Sequence, residues 1–264
     1  MNKIGFIGMG NMGYAILKGC LSSFGKDEIT YTRKNIDKLE AIKEETGIDY
    51  VTSNIDVVKQ SKYIVLAIKP QMFDDVAEEI KDYIDDSKVV ISLAPGVTIA
   101  SLKNKFGGKI VRTMPNTPAM VNAGMTGVCV EKDALDEEEL NTVNQIFSSF
   151  GKMKFVDESL MDAVVCASGS SPAYVFMFMD ALANSCAELG LDIDDAREMV
   201  AQTVYGSAKL MMETHTDPET LRNNVCSKGG TTIEGVNKLI ENNFYDAINE
   251  ATKACKKRCE ELTK

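Results

Sequence analysis

The sequence of 264 residues contains no tryptophan, a single histidine and no pair of cysteines spaced C-x-x-C. A lone histidine, His215 in a predicted helical stretch, argues against a Ser-His-Asp triad. Seven scattered cysteines argue against a zinc site or a disulfide framework. The most apolar stretch, residues 174–179, ends at Asp180 and is far shorter than the roughly 20 residues that span a bilayer. Nucleophilic catalysis, metal catalysis and membrane insertion are therefore not expected.

Positive charge is also scarce, because 29 Lys and Arg stand against 39 Asp and Glu, a net charge of −10. This sign disfavours duplex nucleic acid and anionic membranes as main partners. Any anion that the protein binds must be held by a local arrangement of groups. Glycines occupy the N-terminal stretch where a signal peptide would carry its apolar run, and the cysteines are unpaired in pattern. We therefore expect a protein of the reducing cytoplasm.

Short β-branched runs alternate with amphipathic stretches through residues 1–158, which predicts an α/β fold with a Rossmann-like, doubly wound sheet. Strands are predicted at residues 3–7, 28–32, 63–68, 89–93, 110–113, 127–130 and 153–156, and helices at 12–24, 36–46, 74–84 and 137–150. Beyond residue 158 only helices are predicted, over 172–189, 194–213 and 244–262 with shorter ones from 218 and 232. The expected domains are residues 1–158 and an all-helical 159–264.

The predicted helix 172–189 is apolar on nearly every side, with six apolar residues in succession at 174–179. A helix of this kind needs cover all around its circumference. The helices that follow it are too few to provide that cover. We expect part of its surface to be buried against a second subunit.

The strongest local motif is Gly8-Met9-Gly10-Asn11-Met12-Gly13, which follows the first predicted strand and opens the first predicted helix. In this setting the first glycine permits a tight turn, the second lets a pyrophosphate approach the backbone, and the third lets the helix touch the strand. The positive end of the helix then faces the phosphates. The motif predicts a dinucleotide cofactor.

The end of the second predicted strand reads Tyr31-Thr32-Arg33-Lys34-Asn35 and has no carboxylate. NAD sites usually carry an acid here that bonds the ribose 2′-hydroxyl, whereas a guanidinium can chelate a 2′-phosphate. Arg33 and Lys34 thus favour NADP(H). Two solvated surface cations are the alternative interpretation.

Three further loops follow predicted strands, and ligands of open α/β sheets lie beyond the carboxyl ends of the strands. The loops are Lys69-Pro70, Ala94-Pro95-Gly96 and Met114-Pro115-Asn116-Thr117-Pro118. Each of them alone is also typical of an ordinary turn. Together they predict a cleft that borders the nicotinamide.

Two segments of the helical half precede helices. Ser168-Gly169-Ser170-Ser171-Pro172 predicts a helix start with serine at the N-cap and proline at N1. Ser227-Lys228-Gly229-Gly230-Thr231-Thr232 offers free backbone N–H groups at a positive helix end, which suit a small carboxylate, with a generic loop as the alternative. Hydride transfer remains as the chemistry, because a nicotinamide cofactor would supply it.

These segments together resemble pyrroline-5-carboxylate reductase, most specifically through PETLRNNVCSKGGTTIEGV at residues 218–236. The Ala67-Ile68-Lys69-Pro70 loop, the 114–118 loop and the 168–174 segment fall in the family's order, so the resemblance covers essentially the whole chain. It implies reduction of 1-pyrroline-5-carboxylate to L-proline, the last step of proline biosynthesis, with NADP(H) or NAD(H). It also implies a helical dimerisation domain and intertwined homodimers, often assembled into decamers of five dimers.

The resemblance further implies the roles of single residues. The implied cofactor contacts are Ile7, Gly8, Met9, Gly10, Asn11, Met12, Arg33, Asn54, Ala67, Lys69, Ala94 and Asn224. The implied substrate contacts are Glu158, Ser227, Gly230, Thr231 and Thr232, with Thr232 as the catalytic residue. The chain departs from the family at Ser171, usually glycine, and at Lys228, often proline. Neither departure removes a group that the reaction needs.

Two other interpretations stay open at this point. A β-hydroxyacid dehydrogenase or a related imine reductase has a similar fingerprint and a helical second domain. Those dehydrogenases use a helix-borne lysine, however, and residues 168–189 contain none. A non-catalytic NADP(H)-binding regulator would also carry the fingerprint, but it would bind NADPH without consuming it.

Overall fold

The computed structural model describes residues 3–262, and its internal contacts divide them into two units. Unit 1 comprises residues 3–170 and 255–262, and unit 2 comprises residues 171–254. These units differ from the predicted domains 1–158 and 159–264, because residues 159–170 and the end of the last helix pack with unit 1. The outermost residues of the predicted domains, 1–2 and 263–264, lie outside the described part.

Unit 1 is built on a seven-stranded sheet. The strands are β1 (Ile4–Ile7), β2 (Ile29–Thr32), β3 (Tyr63–Leu66), β4 (Val89–Ser92), β5 (Lys109–Met114), β6 (Gly124–Val130) and β7 (Gly151–Phe155). They lie in the order β2-β1-β3-β4-β5-β6-β7. Strands β1 to β5 are parallel, β6 is antiparallel to β5, and β7 is parallel to β6. Each predicted strand overlaps an observed one, so the α/β class is confirmed.

Helices cover both faces of this sheet. They are α1 (Asn11–Cys20), α2 (Ile36–Thr46), α3 (Asn54–Gln60), α4 (Phe73–Ile80), α5 (Ile99–Lys103) and α6 (Glu137–Ser148). Side chains alternate along each strand, so Phe6 belongs to one buried core and Ile7 to the other. Helices α1, α2 and α6 contribute to the first core, and α3, α4 and α5 to the second. The sheet is therefore doubly wound, as predicted.

Helices α3 and α5 were not predicted from the sequence. They contain 7 and 5 residues, which is too short for an apolar period to show. Each begins at a hydroxyl cap instead, since Ser53 accepts from the Ile55 N–H and Thr98 accepts from the Ser101 N–H. These two N-cap residues are the signal in the sequence from which α3 and α5 could have been predicted.

Residues 158–188 form one continuous helical run. It consists of a 3₁₀ turn (Glu158–Leu160), helix α7 (Met161–Val164), a π-helical turn (Val165–Gly169) and helix α8 (Ser171–Glu188). Helix α8 begins at Ser171, inside the predicted helix start at 168–172, but Ser168 lies in the preceding π-turn and is not an N-cap. The Ser170 N–H donates to the Val165 carbonyl at 2.8 Å, the i to i+5 bond that defines a π-turn.

By length and composition alone, the 31-residue run Glu158–Glu188 could cross a membrane. The sequence had not suggested a span of this length. One such helix is weak evidence of a membrane protein, because helices at protein interfaces pass the same test. Little of its apolar part is buried within a single chain.

Unit 2 continues from α8 with helices α9 (Ile193–Thr214), α10 (Pro218–Val225), α11 (Thr231–Glu241) and α12 (Phe244–Leu262), and the last turns of α12 belong to unit 1. Helices α8 and α9 pack around a small core of Ala183, Ala196 and Val200. Phe176 is 62% exposed and Met177 75% exposed. The prediction that one chain leaves the apolar helix uncovered is confirmed.

Candidate active site

The turn between β1 and α1 brings three chain segments into close contact. Gly8 has φ +90° and its N–H donates to the Thr32 carbonyl at 3.1 Å. A Cβ at Gly8 would lie 2.6 Å from the Ala67 oxygen, and a Cβ at Gly13 would lie 2.6 Å from the Gly8 oxygen. Both positions therefore require glycine, as the fingerprint predicts.

Gly10 is different, because a Cβ there would meet no atom of the chain within 4 Å. It is the N-cap of α1, has no side chain to cap the helix, and is followed by a first turn without acidic residues. The N–H groups of this turn point from the positive end of the helix into open space. The turn thus fits the pyrophosphate of a dinucleotide.

The end of β2 carries the residues that select the cofactor. Arg33 is half-buried and Lys34 is exposed, and neither side chain forms an ion pair or hydrogen bond within residues 3–262. The Val51 N–H donates to the Tyr31 carbonyl at 3.0 Å, which places the start of α3 near this strand end. Asn54 begins α3, and its Nδ2 donates to Glu79 Oε2 at 2.7 Å. An unpaired guanidinium beside the ribose position fits a 2′-phosphate.

Hydrogen bonds tie the neighbouring strand ends together at this edge. The Ala67 N–H donates to the Ile7 carbonyl at 2.9 Å. Ser92 accepts from Thr113 Oγ1 at its carbonyl (3.0 Å) and from the Ala94 N–H at its hydroxyl (3.3 Å). Of the predicted nicotinamide contacts, Ala94 is buried, Ala67 is half-buried and Lys69 is exposed.

Glu158, a predicted substrate contact, is held within unit 1. Its Oε1 accepts from Arg112 Nη1 at 2.9 Å and from the Ile99 N–H at 2.8 Å. Arg112 is buried, so this carboxylate compensates a charge inside the protein and caps α5 at the same time. Sequence analysis missed Arg112, because no local pattern marks a partner 46 residues away.

The remaining predicted substrate contacts lie together at the N-terminus of α11 in unit 2. Gly229 has φ +74°, and Gly230 is an N-cap without a side-chain hydrogen bond. The Gly230 N–H donates to the Ser227 carbonyl at 3.0 Å, which closes the turn. Thr231 and Thr232 are exposed and their hydroxyls are unpaired within the described chain. The free N–H groups of this first turn fit a small carboxylate.

Asn224, a predicted cofactor contact, lies exposed in the last turn of α10 in unit 2. The structure thus groups the predicted site residues into two sets. The set in unit 1 is Ile7, Gly8, Met9, Gly10, Asn11, Met12, Arg33, Asn54, Ala67, Lys69, Ala94 and Glu158. The set in unit 2 is Asn224, Ser227, Gly230, Thr231 and Thr232.

A Rossmann-type sheet fitted for a dinucleotide, followed by a helical region, defines an NADP-dependent oxidoreductase with a separate dimerisation region. Family models agree: residues 3–96 match "NADP oxidoreductase coenzyme F420-dependent" and residues 158–262 match "Pyrroline-5-carboxylate reductase dimerisation". The dimerisation match indicates an oligomer.

The chain belongs to the pyrroline-5-carboxylate reductase family. It is 41% identical to the pyrroline-5-carboxylate reductase of Escherichia coli (strain K12), over 99% of this chain and 98% of that protein. The solved structure from Coxiella burnetii has a TM-score of 0.93 at 35% identity and covers 100% of this chain and 99% of its own. The structure from Plasmodium falciparum, with NADP bound, has a TM-score of 0.89 at 30% identity, with coverages of 100% and 98%.

Proposed function

We propose that this chain reduces 1-pyrroline-5-carboxylate to L-proline with NADPH, the last step of proline biosynthesis. The observation that carries the proposal is the glycine-led N-terminus of α11, whose free N–H groups suit the carboxylate of a small imino acid. A β-hydroxyacid dehydrogenase would also need a helix-borne lysine, and residues 168–189 contain none. A regulator without catalysis has no need of a second, carboxylate-binding site.

The residues of unit 1 would hold the cofactor, which supplies a hydride when bound. The turn from Ile7 to Met12 would bind the pyrophosphate through backbone N–H groups. Arg33 and Asn54 would contact the 2′-phosphate, and Asn54 would leave Glu79 to do so. The nicotinamide side would be bordered by Ala67, Lys69 and Ala94, with Asn224 contributed from unit 2.

The residues of unit 2 would hold the substrate. Backbone N–H groups around Gly230 and Thr231 bind its carboxylate, and Ser227 closes the turn behind them. The Thr232 hydroxyl then bonds the ring nitrogen and orients the C=N carbon, and orientation of this kind lowers a barrier substantially. A threonine hydroxyl is too weak an acid to protonate the nitrogen at neutral pH. The imine therefore arrives protonated or takes its proton through water.

Glu158 remains a proposed substrate contact through one oxygen only. Oε1 is occupied by Arg112 and Ile99, whereas Oε2 accepts no hydrogen bond from the described residues. Oε2 is the atom that the substrate would meet.

We also propose a cytoplasmic enzyme whose working unit is a homodimer and whose full assembly is a decamer of five dimers. Seven free cysteines support a reducing compartment. The decamer comes from the resemblance, and the mass measured by light scattering after gel filtration would test it.

Consumption of NADPH with and without pyrroline-5-carboxylate tests the function directly. We expect the NADPH absorbance to fall only with this substrate, and proline to appear in equal amount. Binding of NADPH with no consumption would establish a regulator. Consumption with 3-oxo acids or acyclic imines alone would establish one of the other reductase classes.

A further inference from the structure

Asn116 lies in the loop after β5, at the carboxyl edge of the sheet. It is 8% exposed. Its Nδ2 donates to the Ser168 carbonyl at 3.1 Å, and its Oδ1 accepts from the Met125 N–H at 2.8 Å. Both ends of a buried amide are thus engaged by backbone groups from two different segments.

One of these segments is the π-helical turn Val165–Gly169. In an α-helix the Ser168 carbonyl would accept from the N–H four residues later, but that residue is Pro172, which has no N–H. This half-buried carbonyl would therefore lack its usual α-helical partner, which is costly where water does not reach it. Asn116 Nδ2 supplies the missing donor. The turn is also the last segment of unit 1 before the chain enters unit 2 at Ser171.

The other side of the same loop contacts the dinucleotide edge. Asn116 precedes a 3₁₀ turn (Thr117–Val121) that packs against α1, the helix that begins at the glycine fingerprint. The loop also lies tightly against the π-turn, since a Cβ at Gly169 would be 2.6 Å from Met114 Cε. Asn116 is thus the polar connection between a loop at the cofactor edge and the π-turn.

We infer that Asn116 is a positioning residue, which fixes the π-turn against the loop that is proposed to border the nicotinamide. The inference rests on the proposed function, because hydride transfer requires the cofactor and the imine to meet in one geometry. A misplacement of about 1 Å can slow a reaction about 100-fold. Asn116 itself touches no reacting atom.

Two variants and one control separate positioning from simple stabilisation. Asn116→Ala removes both hydrogen bonds, and Asn116→Asp keeps an acceptor for the Met125 N–H but places an oxygen against the Ser168 carbonyl. Thr46→Val is the control, because it removes a buried hydrogen bond from Thr46 Oγ1 to the Ile42 carbonyl (2.6 Å) in α2. All three should lower the melting temperature.

Only the Asn116 variants should change the chemistry. We expect kcat to fall about 10- to 100-fold and the kinetic isotope effect on kcat with C4-deuterated NADPH to rise, with the Kd of NADPH changed less than about twofold. Thr46→Val should leave kcat and the isotope effect unchanged. Folded Asn116 variants with the wild-type kcat and isotope effect would overturn the inference.

Hydrogen exchange gives a readout that does not depend on activity. In Asn116→Ala, the amides of residues 165–171 should exchange at least about tenfold faster, while those of β3 stay protected. Unchanged exchange at 165–171 would overturn the inference as well. If Asn116→Ala does not fold, the same exchange measurement on Asn116→Asp decides whether Asn116 holds the π-turn. A wild-type protein that consumes no NADPH would refute the proposed function, yet exchange would still report whether Asn116 holds the turn.

Discussion

The two units meet the need for a buried core in opposite ways. In unit 1, large side chains are fully buried on both sides of one sheet, such as Phe6 on one side and Ile64 on the other. In unit 2, the buried core consists of small residues at the contact of α8 and α9, whereas Phe176 and Met177 face outward. Unit 1 therefore buries its core within one chain, and we expect unit 2 to depend on a second copy for much of its stability.

The ion pairs of Glu139 in unit 1 and those of unit 2 also differ in burial. Glu139 in unit 1 is 1% exposed and its carboxylate is shared by Lys62 and Lys109. The ion pairs within unit 2, such as Lys238 with Glu241, are exposed and one helical turn apart. Exposed ion pairs of this kind contribute little to the free energy of unfolding. Removal of the Glu139 charge from unit 1 should thus cost far more stability than removal of an exposed charge from unit 2.

Among the substitutions that test this difference between the units, Glu139→Ala should change the free energy of unfolding most. The substitution leaves two lysines facing a buried site without a counter-charge and removes the capping box of α6. We expect the free energy of unfolding to fall by about 3–5 kcal/mol, measured by urea denaturation. Glu241→Ala in unit 2 is the matched control and should change it by less than about 1 kcal/mol. Equal losses for both variants would contradict the contrast between the units.

The lowered pKa of Glu139 also predicts how the stability of the protein depends on pH. Burial acts to raise the pKa of Glu139, but hydrogen bonds from Lys109, the Asp136 backbone and Lys62 outweigh it and lower the pKa. A carboxyl whose folded pKa is depressed adds stability above its unfolded pKa and loses it as pH falls through the folded one. Acid should therefore weaken the wild type more than Glu139→Gln below the ordinary glutamate pKa of about 4.3.

The second prediction tests the dependence of unit 2 on a partner copy. Phe176→Glu places a charge on the most apolar segment of α8, and burial of a phenylalanine contributes about 1.5–3 kcal/mol. Sedimentation at micromolar concentration should show a dimer for the wild type and dissociated, less stable chains for the variant. Ile36→Glu, at a similarly exposed position in unit 1, is the control and should leave the dimer intact. A stable wild-type monomer would refute the two-copy interpretation.

How far sequence could predict this molecule also differs between its parts. The seven strands could be predicted because most of them are short apolar or β-branched runs between turn residues. The glycine fingerprint and Arg33 are local patterns beside a strand. Helix α8 was predicted to start at residues 168–172, since Ser168 and Pro172 are typical of a helix start. The π-turn depends on Asn116, 52 residues away, which no local pattern reveals. Pro172 does hold one usable signal, because it removes the donor that the Ser168 carbonyl would need.

The third prediction concerns cofactor choice within unit 1. Arg33 has no partner among the described residues, so its charge is available to a 2′-phosphate. Arg33→Ala should weaken NADPH binding by about 1–3 kcal/mol and leave NADH binding nearly unchanged, as measured by cofactor fluorescence. Lys18→Ala is a suitable control, because Lys18 is engaged by Glu45. Equal losses for both cofactors would show that Arg33 has only a structural role.

The smallest effect we predict falls on unit 2, at Thr232, and it separates two roles for one hydroxyl. If the hydroxyl bonds the ring nitrogen chiefly in the transition state, Thr232→Ala should lower kcat and kcat/KM together, by about fivefold or more for a hydrogen bond of about 1 kcal/mol. If it only helps to hold the carboxylate, KM should rise while kcat stays constant. We expect the first pattern, with Thr232→Ser restoring activity and NADPH binding unaffected, because the proposed pyrophosphate and 2′-phosphate contacts lie in unit 1. Wild-type values of both constants would mean that the backbone of Gly230 and Thr231 suffices, and that the Thr232 hydroxyl plays no part in catalysis.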